Sequence, residues 1–424
     1  MKSEYKNLFK RIQSVVEDTD STNHERRVLC AEAELFRIKL SDAPCNEDDQ
    51  PQRDAEVAEL DALLTGLKLK RVKHFWYDSI DRWVCGLAGW VWLLTATVFL
   101  APPVMLLKPL DAYLVKRGVL SPQSQISEYI EEFIANTMLL ISGADMVVIS
   151  GDKNAFAQSE CPLVCFSHGS TLDTFVLGSL IPMQQNTLAK KELFLIPFLN
   201  LLLYTFGGIP IDRNDRNAAV SAIDNAMRSA ETVGSCIMIA PEGTRSKTGN
   251  LLPFKKGPFY IWEDVQSTII PVVITGAFEL CPPGYFMNLP GRIYAQQLPP
   301  IPFDHNQTRE SISKQLRVQM LEAIKKSPAD AGSAISWGFR IKNILSIVAL
   351  AVLQYWIYQV PCKLLMTTLR IGYGRLWFYL LCISIIVTMV LYFFKILLPK
   401  RSKPPPRSPT KSTTPVKSKT RKAD

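Results

Sequence analysis

No C-x-x-C pair occurs in this chain of 424 residues, and its nine cysteines sit at scattered positions. Cys161 and Cys165 lack a second cysteine pair, or histidines at zinc-ligand spacing, which removes a zinc finger or ribbon. An odd number of cysteines, in a chain long enough to bury a core without crosslinks, reads as free buried thiols in a reducing compartment. Targeting patterns are missing too. Met1-Lys2-Ser3-Glu4-Tyr5-Lys6 is polar, so a secretory leader is not expected there. Glu4, Glu17, Asp18 and Asp20 spoil the acid-poor pattern of a mitochondrial transit peptide.

Charge is sparse. Charged residues make up 21% and hydrophobic residues 47%, with a mean hydropathy of +0.08. This excludes disorder for most of the chain and points to membrane contact. At about 150 residues per domain, the length allows two or three units. The net charge of +9 is concentrated at one end: residues 400–424 hold nine basic residues against one acid, a charge of +8, which leaves +1 for the other 399. No aromatics are interleaved with these charges, so nucleic acid is not an expected partner. Pro404-Pro405-Pro406, Ser408-Pro409 and Thr414-Pro415 make the tail a low-complexity, disordered segment. It is expected to set membrane topology and to touch anionic headgroups. Arg421-Lys422 resembles a dibasic endoplasmic-reticulum retrieval signal, although Lys is preferred at both positions.

Three apolar stretches read as bilayer elements. Residues 376–394 are uncharged and match the roughly 20 residues needed to cross a hydrocarbon core; the helix is expected to extend to 398, with Lys395 snorkelling. Residues 343–360, weakened by Asn343 and Gln354 and closed by Pro361, form the other half of an expected C-terminal transmembrane hairpin. Residues 83–107 contain Pro102-Pro103, which predicts a kink. Basic residues flank this stretch on both sides (Lys68, Lys70, Arg71, Lys73 and Arg82 before it; Lys108, Lys116 and Arg117 after it). That symmetry favours a re-entrant or in-plane hairpin over a single span. Basic residues mark the cytoplasmic side, so the tail and the central domain are both expected there. A fourth uncharged run, 193–211, carries Pro197, Asn200, Gly207-Gly208 and Pro210 and is expected to belong to the central domain. Residues 1–82 contain helical patterns at 26–40 and 54–70 around a polar linker, and no chemistry is legible in them. They read as a regulatory or membrane-packing extension.

Between 123 and 327, strand-like and helix-like pieces alternate, which predicts an α/β sheet. Helices are expected at 126–141, 218–233 and 307–326, with strands at 146–150, 162–166, 236–240 and 268–274. Within this region, His168 follows an apolar strand and precedes Asp173 by five positions. The carboxylate can fold back onto one ring nitrogen and leave the other free as a base. Taken alone, the pair is also what a structural histidine produces. Gly207-Gly208-Ile209-Pro210-Ile211-Asp212-Arg213 offers a phosphate-binding fork at Arg213, or a plain turn with an Asp212–Arg213 ion pair. Glu242-Gly243-Thr244-Arg245-Ser246 follows a strand directly and gathers donors for an anion, and Lys255-Lys256 add two cations. Ile270-Pro271-Val272-Val273-Ile274 reads as a core strand.

The order H-x4-D, G-x-x-x-D-R, E-G-T-R-S with F-K-K-G, and an apolar-Pro-apolar strand resembles the glycerolipid acyltransferase family, that of the 1-acylglycerol-3-phosphate acyltransferases, over about residues 145–300. The resemblance implies an α/β acyltransferase domain with a mixed sheet flanked by helices, carried on membrane helices. It implies His168 as general base and Asp173 as its orienting carboxylate. Arg213, Glu242, Gly243, Thr244, Arg245 and Ser246 would place the acceptor's phosphate, with Lys255 and Lys256 near it and Pro271 shaping the pocket. Acyl-CoA would be the co-substrate, a lysophospholipid the acceptor and membrane lipids the surroundings, with no metal or cofactor. An integral membrane location at the endoplasmic reticulum, facing the cytosol, follows. Gly169, Ser167 and Pro210 stand where relatives commonly have a polar residue, Asn and Phe. These departures leave the catalytic pair intact and bear on which acceptor is used: lysophosphatidic acid, another lysophospholipid or glycerol 3-phosphate. A silent scaffold of the same fold is the contrasting reading, and the intact His168/Asp173 pair speaks against it.

Overall fold

A computed structural model describes residues 2–18, 21–43, 50–69, 76–122, 124–152, 155–156, 161–196, 199–212, 234–285, 287–333 and 335–369. Met1–Leu376 forms one compact unit; Trp377–Asp424, a second, lies outside the described residues, as do the expected span at 376–398, the basic tail at 400–424, the expected helix at 218–233 and Arg213.

The chain begins with three helices, α1 (Lys2–Glu17), α2 (Asn23–Asp42) and α3 (Gln50–Gly66). Helix α2 starts where Thr22 and Glu25 form a reciprocal cap: Glu25 N donates to Thr22 Oγ1 at 3.2 Å and Thr22 N to Glu25 Oε2 at 2.8 Å. Tyr5, Leu8 and Ile12 of α1 recur at helical spacing and bury against Leu29, Phe36 and Leu60. This small core has no bilayer length in it.

Next come α4 (Trp76–Phe99), α5 (Ala101–Lys116) and α6 (Ile126–Ile141). The chain breaks at Leu100, and Pro102 and Pro103 open α5 instead of kinking one long helix; in a first turn a missing N–H costs nothing. Trp92, Leu93 and Ala96 of α4 pack on Ile134 and Met138 of α6. Lys108, counted above among the flanking charges, is paired with Glu131 at 2.8 Å and is mostly buried. It therefore contributes little to the charge symmetry argued from sequence.

A seven-stranded mixed sheet follows in the order β1-β7-β6-β2-β5-β3-β4. The strands are β1 (Ala144–Ser150), β2 (Leu163–Phe166), β3 (Gln185–Lys190), β4 (Gly208–Ile211), β5 (Cys236–Ile239), β6 (Ile269–Thr275) and β7 (Gly291–Gln297). All pairings are parallel except β6 with β7. Side chains alternate between faces as the strand period requires. Val164, Met238 and Val272 pack toward α6, whereas Leu163, Ile237 and Val273 pack on the opposite layer with Trp262, Leu316 and α2's Leu35. The remaining helices are α7 (Asp173–Leu180), α8 (Leu199–Thr205), α9 (Gly257–Val265), α10 (Ala277–Leu280), α11 (Arg309–Lys325) and α12 (Trp337–Leu369). The uncharged run 193–211 is divided among a short 3-10 turn (Lys191–Leu195), α8 and the edge strand β4, so it does not form a span. Six cysteines among the described residues are buried and form no disulfide.

Among the described residues, one helical window, Arg82–Phe99, is long and apolar enough to cross a membrane by length and composition. Helix α12 contains the expected 343–360 segment but runs through Pro361 to Leu369. An interior proline removes one hydrogen bond, and here the helix continues across it. Asn343, which weakened that stretch as a span, is buried with its amide donating to Ile141 O at 3.2 Å, at the C-terminal end of α6. Exposed apolar side chains line these helices: Trp83, Leu87 and Trp90 on α4, Phe133 on α6, and Trp337, Ile341 and Leu345 on α12.

Candidate active site

Strand β2 delivers His168 at its C-terminal end, the edge where open α/β sheets present ligand sites. Ser167 N donates to Val272 O at 3.1 Å and Ile274 N to Ser167 Oγ at 2.9 Å, which ties the loop to β6 before the chain leaves the sheet. The next turn closes on Asp173, the first residue of α7. Its Oδ2 accepts from Gly169 N at 2.9 Å and Ser170 N at 2.8 Å, and lies 2.9 Å from His168 Nδ1. A carboxylate in a helix's first turn is also favoured by the helix dipole. Asp173 is 1% exposed and the His168 side chain 25%, so the acid is enclosed while the imidazole reaches solvent. With Nδ1 held by the carboxylate, Nε2 is the nitrogen left for chemistry. The five-residue spacing therefore closes as the sequence predicted.

The second loop, after β5, turns differently from expectation at two positions, Glu242 and Ser246. Glu242 does not face a phosphate site. It is buried, accepting from His168 N at 2.9 Å on Oε1 and from Leu252 N at 2.7 Å on Oε2. Burial pushes this carboxyl up to about 7, with the two backbone N–H groups pulling the other way. Glu242 thus fixes the backbone at His168, with both of its oxygens already engaged.

Gly243, Thr244 and Arg245 face outward. Gly243, at φ +72°, makes the turn, and its N–H donates to Ala240 O at 3.0 Å. Thr244, Lys255 and Lys256 are exposed and Arg245 is half-buried. Lys255 N donates to Pro241 O at 2.8 Å, which folds the two cationic segments together. Arg245, Lys255 and Lys256 have no hydrogen bond or ion pair through their side chains among the described residues. Ser246 is buried, its N–H donating to His168 O at 2.8 Å and its hydroxyl to Asn250 O at 2.6 Å. Asp212 pairs with Lys191; its neighbour Arg213 lies outside the described residues. Pro271 sits mid-strand opposite Cys165 and does not line the cavity at His168, which Ile274 and Thr275 border instead.

That cavity, about 40 Å³, is closed by a wall the sequence did not reveal. Arg27, Cys30, Ala31 and Glu34 of α2, with Leu69 after α3, line it together with His168, Asp173 and Glu242. Leu69 N donates to Thr248 O at 2.9 Å, and Asn250 Nδ2 to Leu67 O at 2.9 Å. Leu69 also seats against Gly249, whose positive φ of +82° and missing Cβ leave room for it. Among the described residues, no three His, Cys, Asp or Glu side chains are arranged to hold a metal ion.

A family model described as Acyltransferase matches residues 147–275. A 1-acyl-sn-glycerol-3-phosphate acyltransferase of Saccharomyces cerevisiae is 32% identical over 202 residues, which are 46% of this chain and 65% of that protein. One from Cocos nucifera is 35% identical over 143 residues, covering 34% of this chain and 46% of its own. The chain thus spans less than two thirds of the length of these curated relatives. A crystal structure of the 1-acyl-sn-glycerophosphate (LPA) acyltransferase, PlsC, from Thermotoga maritima has a TM-score of 0.49 and 22% identity, covering 59% of this chain and 97% of that one. The matched model includes His168, Asp173 and the loop from Glu242 to Ser246, and α1 to α3 lie outside it.

Proposed function

Starting from a chain that belongs to the glycerolipid acyltransferase family, we propose that it moves a fatty acyl group from acyl-CoA to the free hydroxyl of lysophosphatidic acid, giving phosphatidic acid. One observation carries the proposal: His168 Nδ1 stands 2.9 Å from the enclosed Asp173, and the two line one cavity. His168 Nε2 takes the proton of the acceptor hydroxyl as that oxygen attacks the thioester carbon. Asp173 holds the ring's tautomer and stabilises the imidazolium that forms. The tetrahedral oxyanion collapses, the carbon–sulfur bond breaks, and the CoA sulfur leaves with the proton from His168. No serine or cysteine nucleophile is needed, because the acceptor brings its own oxygen. Thr244, Arg245, Lys255 and Lys256 hold the acceptor's phosphate with charge-assisted contacts, and Arg213 joins them from the G-x-x-x-D-R segment. The exposed tryptophans and aliphatic residues of α4, α6 and α12 support a membrane-bound enzyme that meets lipid at that face. We place it at the endoplasmic reticulum, as the resemblance implies, with the catalytic domain and tail on the cytosolic side, on the strength of the basic tail.

The test is purified protein with one acyl-CoA, a panel of lysophospholipids and glycerol 3-phosphate, and release of CoA as the readout. Lysophosphatidic acid should be the preferred acceptor. His168→Ala should reduce transfer by roughly a thousandfold or more without loss of protein from membranes. Survival of transfer in that variant would overturn the mechanism, whereas preference for a different lysolipid would overturn the acceptor alone.

A further inference from the structure

The wall contributed by α2 contains a charged group whose bonding is incomplete. Arg27 is 3% exposed and lines the same cavity as His168. Its Nη2 donates to Glu279 Oε1 in an ion pair that is 4% and 2% exposed at its two side chains. Its Nη1 is buried with no partner, and so is the second carboxylate oxygen of Glu279. A buried guanidinium with an unmade bond is costly, because it has left water without full replacement. Such groups persist where a ligand completes them.

Resting on the acceptor reading above, we propose that Arg27 is a specificity-determining residue of the acceptor site: its free Nη1 edge binds the phosphate monoester of the incoming lysolipid, and Glu279 holds the guanidinium in place while the site is empty. Planar guanidinium donors suit phosphate oxygens, and the α2 wall brings this one to the pocket that contains the base. The cavity, about 40 Å³, has room for a few waters at about 10–15 Å³ of cavity volume each, less than a glycerol phosphate needs. A phosphate therefore reaches Arg27 only as α2 and Leu69 give ground, which exchanges the Leu69–Thr248 contact for contact with the acceptor. On this account the N-terminal helices, which lie outside the matched family segment, form half of the acceptor site.

Replacing Arg27 alone leaves Glu279 charged and buried, so the decisive variant is R27Q/E279Q, which removes both charges and keeps an amide pair. With membranes or purified full-length protein, KM for lysophosphatidic acid should rise at least tenfold in R27Q/E279Q while kcat changes less than threefold. R27K with Glu279 intact should recover part of the KM. With 1-monoacylglycerol, which has no phosphate, any rise in KM should be much smaller. Equal rises for both acceptors, an unchanged KM, or a loss confined to kcat with a lowered thermal midpoint would each overturn the role of Arg27. If the unaltered protein fails to acylate lysophosphatidic acid at all, the acceptor reading falls instead, and the two failures are told apart by that control.

Discussion

On one side of the cavity, Asp173 Oδ2 accepts from Gly169 and Ser170 and faces His168, all within five positions of it in sequence. On the other side, Arg27 reaches Glu279 across 252 positions and leaves a nitrogen without a partner. The first wall is a local device: a strand end, a tight turn and a helix start fix the base whatever packs nearby. The second exists only once the N-terminal helices have docked on β6, α10 and α11, through Arg27–Glu279, Arg317–Glu34 at 3.1 Å and the backbone contacts of Leu67 and Leu69. Local construction suits a group that must keep one geometry for proton transfer. Long-range construction suits the headgroup recognition proposed for Arg27, which asks the wall to yield.

The contrast breaks most sharply at Asp173. In Asp173→Asn, the amide oxygen stays on Gly169 N and Ser170 N, so the turn and the protein's thermal midpoint should hold, while the charge behind the imidazolium disappears. We expect kcat to fall between a hundredfold and a thousandfold, about 3–4 kcal/mol of barrier, with KM for lysophosphatidic acid little changed. If kcat holds, or if the loss falls mainly on KM, the wall assigned to chemistry is doing recognition.

Glu242 supplies a test in a different quantity. Its carboxyl is pushed up to about 7 in the folded chain, against 4.5 when unperturbed. The folded protein therefore holds a proton, through that window, that the unfolded chain has already lost. Its stabilising contribution is full below about pH 4.5 and is lost as the pH rises through 7, about 3 kcal/mol in all. Glu242→Gln has no such proton to lose. The variant keeps one acceptor oxygen and leaves one of His168 N and Leu252 N facing an NH2 group, so it should be less stable at pH 5, with the deficit shrinking by several degrees of thermal midpoint by pH 8. A deficit that stays constant with pH would mean that Glu242 is ionised throughout.

The pair His168/Asp173 was legible because both partners lie inside one motif whose closure needs only a turn. The strands were legible to within a residue or two at β2, β5 and β6, because their apolar runs are short and buried on both faces. Glu242 was misjudged because a motif records which residue is present and not which way it turns; here the polar loop sends its acid inward and its cations outward. Lys108 and Asn343 misled in the same way. One looked like a topology charge and is an internal partner of Glu131; the other looked like a flaw in a span and caps α6. The α1 pattern of Tyr5, Leu8 and Ile12 was present in the sequence at helical spacing, and it was the available signal that the N-terminal region has a core of its own. Nothing local could have paired Arg27 with Glu279.

The smallest expected effect lies at the exposed rim, where the comparison between the two walls can be sharpened. Lys255 and Lys256 stand in solvent, so the contact proposed for each with an acceptor phosphate would act across high dielectric and at the entropic expense of a long flexible side chain. Lys255→Ala and Lys256→Ala should each raise KM for lysophosphatidic acid only about two- to fivefold at low ionic strength. Near 1 M salt, where screening acts over about 3 Å, the differences from the unaltered protein should vanish. The Arg27 contact is buried and should keep most of its effect under the same salt. Measuring KM for R27Q/E279Q and Lys256→Ala side by side at low and high salt therefore separates a recognition site inside the cavity from an electrostatic collar around it. A salt-insensitive Lys256 effect would move that residue inside the site, and a salt-erased Arg27 effect would move Arg27 out to the rim.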